Sequence, residues 1–186
     1  DCLLSRGLGD VYKRQTDGVR GRSDLALLQD LEAAAEFVIA TAGEPITAAY
    51  LGRINAQLTR SAALNPGKLR RAEQGIGVHT AHGRHEPAAL TAEELDALMQ
   101  QQLKLDDALR SAAHLFVEVA RAQPFEDGNK RTAIFAANSY LIGQGAGVLM
   151  AVPHDDADPS VSREFHDLLA RAYVFGETGP VVEALV

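Results

Sequence analysis

The chain has 186 residues, 46% of them apolar or aromatic, enough to bury a core without disulfide or metal staples. With 18 Lys and Arg against 25 Asp and Glu the formal charge is −7, which argues against a broad basic footprint for duplex nucleic acid or an anionic membrane; any phosphate must be held locally. A single cysteine excludes an internal disulfide framework and a cysteine-based zinc module, and with no signal-like leader and no apolar run near the roughly 18–20 residues of a membrane span a soluble, cytoplasmic protein is expected.

Residues 1–15, DCLLSRGLGDVYKRQ, lack any helical or alternating period. The string, GDVYKRQ above all, is similar to translated sequencing-adapter sequence, and it is set aside as non-native, with a disordered basic tail as the alternative. Removing its three basic (Arg6, Lys13, Arg14) and two acidic residues (Asp1, Asp10) from 18 and 25 leaves 15 and 23, a charge of −8 over 16–186. That span contains no repeat, linker or low-complexity block and is expected to be a single domain.

From Ser23 to about Thr41, Leu25, Leu28, Leu31, Ala35 and Val38 recur at steps of three and four residues, predicting an amphipathic helix with Ser23 as N-cap and Gly43 just past its end. After Pro45, Thr47 caps a second helix with Tyr50, Leu51, Ile54 and Leu58 on one face, fraying into the Asn65-Pro66-Gly67 turn. Residues 68–90 suit an extended flap or short hairpin better than a helix. Thr91 and Glu94 form a capping box ahead of Leu95, Leu98 and Met99. Asp106 is positioned to cap a central helix carrying Leu109, Ala112, Ala113, Phe116, Val119 and Ala120 to about Ala122. A further helix runs from near Asn129 to the Gly143/Gly145 stop, an apolar connection spans Gly147 to Pro153, and Pro159-Ser160 opens another helix. Pro180 fits the first position of a last helical piece. The expected fold class is all-α with a small β-hairpin flap.

Chemistry concentrates at residues 123–131, Gln-Pro-Phe-Glu-Asp-Gly-Asn-Lys-Arg, which empty onto a helix start. Helix-start N–H groups and a positive dipole end make an anion site, and Gly128 allows close backbone approach. Lys130 and Arg131 add positive charge and Asn129 an amide donor. Asp127, a carboxylate beside such a cradle, suits Mg²⁺, which favours one or two carboxylates plus phosphate oxygens. A Mg²⁺–nucleotide phosphate site is one reading; a tight interhelical turn with Lys130 and Arg131 solvated is the other, and the residues alone leave both open.

The segment resembles the signature of the Fic/Doc (Fido) family, H-P-F-x-[D/E]-G-N-[G/K]-R, at Pro124, Phe125, Asp127, Gly128, Asn129, Lys130 and Arg131, with Thr132-Ala133 continuing the Lys-bearing branch. Asn65-Pro66-Gly67-Lys68-Leu69-Arg70, the flap and Pro87 extend the likeness over roughly 45–175. The resemblance implies a helical domain that transfers AMP from ATP to a protein hydroxyl, or in a Doc-like branch a phosphoryl group. It implies that Asp127 holds Mg²⁺, that Gly128, Asn129 and Lys130 line an anion hole, that Arg131 pairs with phosphate oxygens and that Phe125 packs inward. A flap around 76–88 would align a target protein by strand addition.

Two positions depart from the pattern. The family's catalytic histidine is here Gln123, whose amide has no protonation near neutral pH and cannot serve as general base. It is read first as a genuine loss leaving a nucleotide- or target-binding domain, then as a variant with its base elsewhere, then as a base-call error in a codon one position from His. The second arginine of the AMP-transferring branch is Ile134. Functionally, an impaired adenylyltransferase-like domain binding ATP, or another nucleotide, and Mg²⁺ is expected. The alternatives are an active toxin-type nucleotidyl- or phosphotransferase using Gln123 only to orient the hydroxyl, and a non-enzymatic interaction module. No Glu is followed by Gly or Asn, so the family's inhibitory-helix pattern is absent; a separate antitoxin-like protein, a lost start, or Ile134 making restraint pointless would account for that. Among the histidines, His114 lies nine residues before Gln123, roughly 13–14 Å along a helix, too far to substitute. His79, His82 and His85 in the flap do not share one strand face. His154 is read as part of a solvated turn and His166 as part of a helix face.

Overall fold

The computed structural model describes residues 21–61 and 65–186; the segment 1–15 lies outside them. Seven helices are seen among these residues: α1 (Arg22–Thr41), α2 (Ala48–Asn55), α3 (Ala92–Gln102), α4 (Ala108–Ala122), α5 (Asn129–Gly143), α6 (Pro159–Phe175) and α7 (Thr178–Glu183). A 3₁₀ turn at Ala72–Gln74 leads into a two-stranded antiparallel hairpin, β1 (Val78–Thr80) and β2 (Gly83–His85), in register Val78↔His85 and Thr80↔Gly83. The fold is thus the expected all-α arrangement with one small flap.

Alanines decide how the centre packs. Ala112, Ala113 and Ala120 of α4 and Ala133, Ala136 and Ala137 of α5 are all fully buried, so the two helices press together along their length and their joined ends fix where residues 123–128 lie. Phe116, Leu95, Met99, Leu141, Phe165 and Val181 fill the space around them. Tyr50 crosses this core, its hydroxyl linked at 2.7 Å to Ser139 Oγ and at 2.9 Å to Thr41 Oγ1, which ties α2 to α5 and α1.

Local signals set most boundaries. Thr47 Oγ1 accepts from Tyr50 N, and Thr91 with Glu94 closes the capping box of α3. Asp158 caps α6 with Pro159 at its first position. Other expectations need correcting. Gly21, not Ser23, is the N-cap of α1. Its buried face is Asp30, Ala34 and Val38, while Leu25 and Leu28 are exposed, because the chain around Arg60 and Ser61 offers donors to Asp30 and so rotates the helix away from its leucines. Of two adjacent acids, Asp107 rather than Asp106 caps α4, accepting from Leu109 N and Arg110 N. The second helix stops at Asn55; Leu58 lies beyond it yet is fully buried. Pro180 sits at the third position of α7, where a missing N–H is still harmless because first-turn donors have no helical acceptor.

Candidate functional site

Six residues, 123–128, carry the chain from α4 to α5. Gln123 takes a left-handed conformation (φ 47°, ψ 55°) and ends α4; Pro124 bars the right-handed region there, and Arg70 Nε on Gln123 O holds the turn. Gly128, at φ 74°, is the N-cap of α5. The first bond of α5 is Thr132 N to Gly128 O at 2.8 Å, so the N–H groups ahead of it have no acceptor within the helix and mark its positive end.

The loop is gripped from several sides. Phe125 is 1% exposed and pairs its backbone antiparallel with Leu69. Asn55 from α2, 2% exposed, donates to Asp127 O at 3.0 Å and Thr132 Oγ1 at 3.0 Å, and accepts from Gly67 N at 2.7 Å. Arg70, also buried, donates through Nε to Gln123 O at 2.6 Å and through Nη2 to Pro87 O and Ala88 O at 2.7 and 3.0 Å, while its backbone N bonds Pro124 O. Burial lowers the pKa of this guanidinium, with Glu86 offsetting part of the effect. Glu126 accepts from Asn65 and from Gln74 on the far side.

Asn129 was expected to offer its amide to an anion. Its side chain is instead engaged within the loop: Oδ1 accepts from Phe125 N at 2.8 Å, and Nδ2 donates to Phe125 O and Gln123 Oε1 at 3.0 Å each. Only its backbone N–H faces the helix end. Gln123 is similarly committed, with Nε2 on Ala120 O at 2.5 Å and Oε1 on Asn129. Asp127 has one oxygen on Gly128 N at 2.6 Å and the other 3.5 Å from Arg131 Nη2, with its side chain about half exposed. Lys130 is exposed and forms no ion pair among the described residues. Arg131 Nη1 donates to Ser61 Oγ at 2.6 Å.

These groups open onto a cavity of about 410 Å³ lined by Gln123, Asp127, Asn129, Lys130, Arg131 and Tyr173 with the flap residues 76–78. A second cavity, also about 410 Å³, lies between β1 and α6 and shares Val78, Lys130 and Tyr173 with the first. The flap is pinned over both. His85 stacks on Tyr173 at 5.1 Å and donates from Nε2 to Arg121 O at 2.7 Å, which fixes that nitrogen as protonated. His82 Nε2 lies 2.7 Å from Asp167 Oδ1. His79 lines the second cavity, and no group of three metal-ligating side chains occurs among the described residues. His114 is half-buried on α4, and His154 contacts Ser162 and Asp156 in an exposed turn.

Tyr173 is buried, and its hydroxyl, beside the Gln123 side chain, has no hydrogen-bond partner among the described residues. Burial pushes its pKa well up, Gln123 countering only in part, so it remains a neutral phenol. Asn55, Asp30, Ser61 and Tyr173 were not singled out by sequence reasoning, and Arg70 entered only as part of a motif. A polar residue on an apolar stripe, as Asn55 is between Leu51 and Leu58, is the signal that identifies such positions.

The Fic/DOC family model matches residues 45–141, from just before α2 to the last turn of α5. No curated protein is similar enough in sequence to match. Among solved structures, the chain is similar to BepC, a VirB-translocated Bartonella effector protein from Bartonella tribocorum with bound AMPPNP (TM-score 0.55, 19% identity, covering 87% of this chain and 82% of that one). It is also similar to a Fic domain containing signaling protein from Bacteroides thetaiotaomicron VPI-5482 (TM-score 0.56, 16% identity, 90% and 66%). At these identities the likeness is one of fold.

Proposed function

The chain belongs to the Fic/DOC family, and from that premise we propose that residues 123–131 form a Mg²⁺–nucleotide phosphate site in a domain whose AMP-transferase chemistry is impaired by Gln123. The observation that carries the reading is the asymmetry of the loop. Its anion-facing half is held ready by Asn55, Arg70 and Asn129, whereas both polar atoms of Gln123 are taken up within the protein.

In this reading the free N–H groups at the start of α5 and the side chains of Lys130 and Arg131 receive phosphate oxygens, since a helix N-terminus with adjacent cations favours bound anions. Asp127 is half exposed, and its second oxygen, 3.5 Å from Arg131 Nη2, could serve as one carboxylate ligand of Mg²⁺, which takes its remaining ligands from phosphate and water; when bound, the ion would neutralise charge on the phosphate oxygens. A target hydroxyl aligned on the flap around 76–88 would attack phosphorus in line, a reaction that depends on positioning and charge stabilisation. Losing the general base costs about 10²- to 10⁴-fold in rate. The engaged amide of Gln123 speaks against its orienting the hydroxyl instead. The second cavity between flap and α6 gives the rest of a nucleotide room beside the phosphates. None of the described helices is long and apolar enough to cross a membrane; a cytoplasmic setting and restraint by a separate antitoxin-like protein complete the proposal.

Two measurements test it. ATP with Mg²⁺ should raise the melting temperature of the wild type, and raise that of Asp127→Ala and Arg131→Ala markedly less; no stabilisation of the wild type removes the nucleotide site and leaves the interaction-module reading. Transfer from labelled ATP to lysate proteins should be weak for the wild type and rise by about 10²-fold or more in Gln123→His. Equal transfer by both shows that the chain is not impaired.

A further inference from the structure

Asp30 is fully buried on α1, in a helix face otherwise made of Ala34 and Val38. A buried carboxylate is costly unless paired and hydrogen-bonded, and this one is surrounded by donors. It accepts from Arg60 N at 3.1 Å, from Ser61 N at 2.7 Å and from Ser61 Oγ at 2.7 Å, with the Arg60 guanidinium 3.5 Å away. Burial by itself would raise its pKa, but the bonds from Ser61 and Arg60 outweigh that and lower it, so the carboxylate stays charged.

A serine hydroxyl has one hydrogen and two lone pairs. With its hydrogen committed to Asp30, Ser61 presents only an acceptor to its other neighbour, and that neighbour is Arg131, whose Nη1 donates to it at 2.6 Å. The other arm of the same guanidinium, Nη2, lies 3.5 Å from Asp127. Carboxylate, hydroxyl and guanidinium therefore form a directed chain from the interior of α1 to the wall of the loop cavity.

We propose that Asp30 and Ser61 are positioning residues for Arg131, holding its guanidinium against the cavity wall so that its remaining N–H groups point at an anion bound at the start of α5. The proposal rests on the nucleotide-site reading and deepens it. Ser61 is the residue to test, since Asp30 replacements expose its buried donors and are prone to unfold. ATP·Mg²⁺ affinity is measured by calorimetry for wild type, Ser61→Ala, Ser61→Thr, Arg131→Ala and the Ser61→Ala/Arg131→Ala double variant, with melting temperatures alongside. Loss of a bond to a charged group predicts about tenfold weaker binding for Ser61→Ala, recovery to within about twofold for Ser61→Thr, and no more than about twofold further loss when Ser61→Ala is added to Arg131→Ala. A purely structural Ser61 would give no such coupling. If Ser61→Ala binds as wild type while Arg131→Ala does not, or if the two losses multiply in the double variant, the relay is refuted and the nucleotide site stands. Absence of ATP binding by the wild type overturns both.

Discussion

Replacing Gly128 by alanine tests whether the loop is built as tightly as its contacts imply. Gly128 has φ 74°, and placing an L side chain in the left-handed region costs roughly 1–2 kcal/mol. The added Cβ would sit 2.6 Å from Leu58 Cδ1 and 3.2 Å from Asn55 Nδ2. Leu58 is fully buried and cannot swing into solvent, and Asn55 is held by three hydrogen bonds, so an overpacking cost of about 1–3 kcal/mol applies. Reduced freedom of the unfolded chain returns about 0.4–1 kcal/mol, leaving a net loss on the order of 2–4 kcal/mol and, at about 2–4 °C per kcal/mol for a chain of this size, a fall in Tm of roughly 5–15 °C. Gly145 is the control. It has φ 62° with nothing within 4 Å of an added Cβ, so Gly145→Ala isolates the backbone cost and should lose about 1 kcal/mol. Thermal melts followed by far-UV circular dichroism, with urea midpoints at unchanged m, measure both. If Gly128→Ala melts no lower than Gly145→Ala, Leu58 and Asn55 do not confine the loop and the reasoning fails.

The orphaned hydroxyl of Tyr173 predicts that Tyr173→Phe is neutral or stabilising by up to about 1 kcal/mol; a Tm lowered by several degrees would reveal a partner. Asn55→Ala strips acceptors or donors from Gly67, Asp127 and Thr132 and should cost about 2–4 kcal/mol, with amide exchange at Gly67 rising sharply; unchanged exchange there would refute the contact. Asp30 has a folded pKa below its ordinary 3.8, so it contributes stability that is fully present above pH 3.8 and is lost as pH falls through the depressed folded value. Asp30→Asn should therefore be less stable at neutral pH and show a shallower loss of Tm between about pH 4 and pH 2 than wild type; parallel acid slopes would contradict the shift.

What the sequence made legible was local. Thr47, Thr91 with Glu94, and Pro159 each sit within three residues of the helix end they set, and Asn129 opens α5 where the turn chemistry of Asp127-Gly128 placed it. The flap was legible as non-helical, though its paired core is only Val78–Thr80 and Gly83–His85. What escaped reading depends on partners far along the chain. Asn55 meets residues 127 and 132, Asp30 meets 60 and 61, and Arg70 meets 123, 87 and 88, pairings that no local period encodes. The face of α1 was misjudged for the same reason, since apolar spacing favours the leucines while hydrogen bonds from residues 60 and 61 draw Asp30 inward. Asn129 shows the converse: its type was informative, but its amide stabilises the loop instead of facing outward.

The grip on the loop and the identity of residue 123 are separable. Pro124 keeps residue 123 out of the right-handed helical region whatever side chain stands there, and Arg70 holds that residue through its carbonyl oxygen. Asn55, Phe125 and Leu69 act on the loop without touching the Gln123 side chain. Changing Gln123 to His removes two hydrogen bonds, those to Ala120 and Asn129, while Asn129 keeps both of its bonds to Phe125. The helix-start N–H groups of α5 are then undisturbed, so under the proposed function Gln123→His should bind ATP·Mg²⁺ within about twofold of wild type even as transfer rises. A substitution that altered affinity and transfer together would place the 123 side chain in the phosphate cradle itself, and the division between a ready anion site and a missing base would not hold.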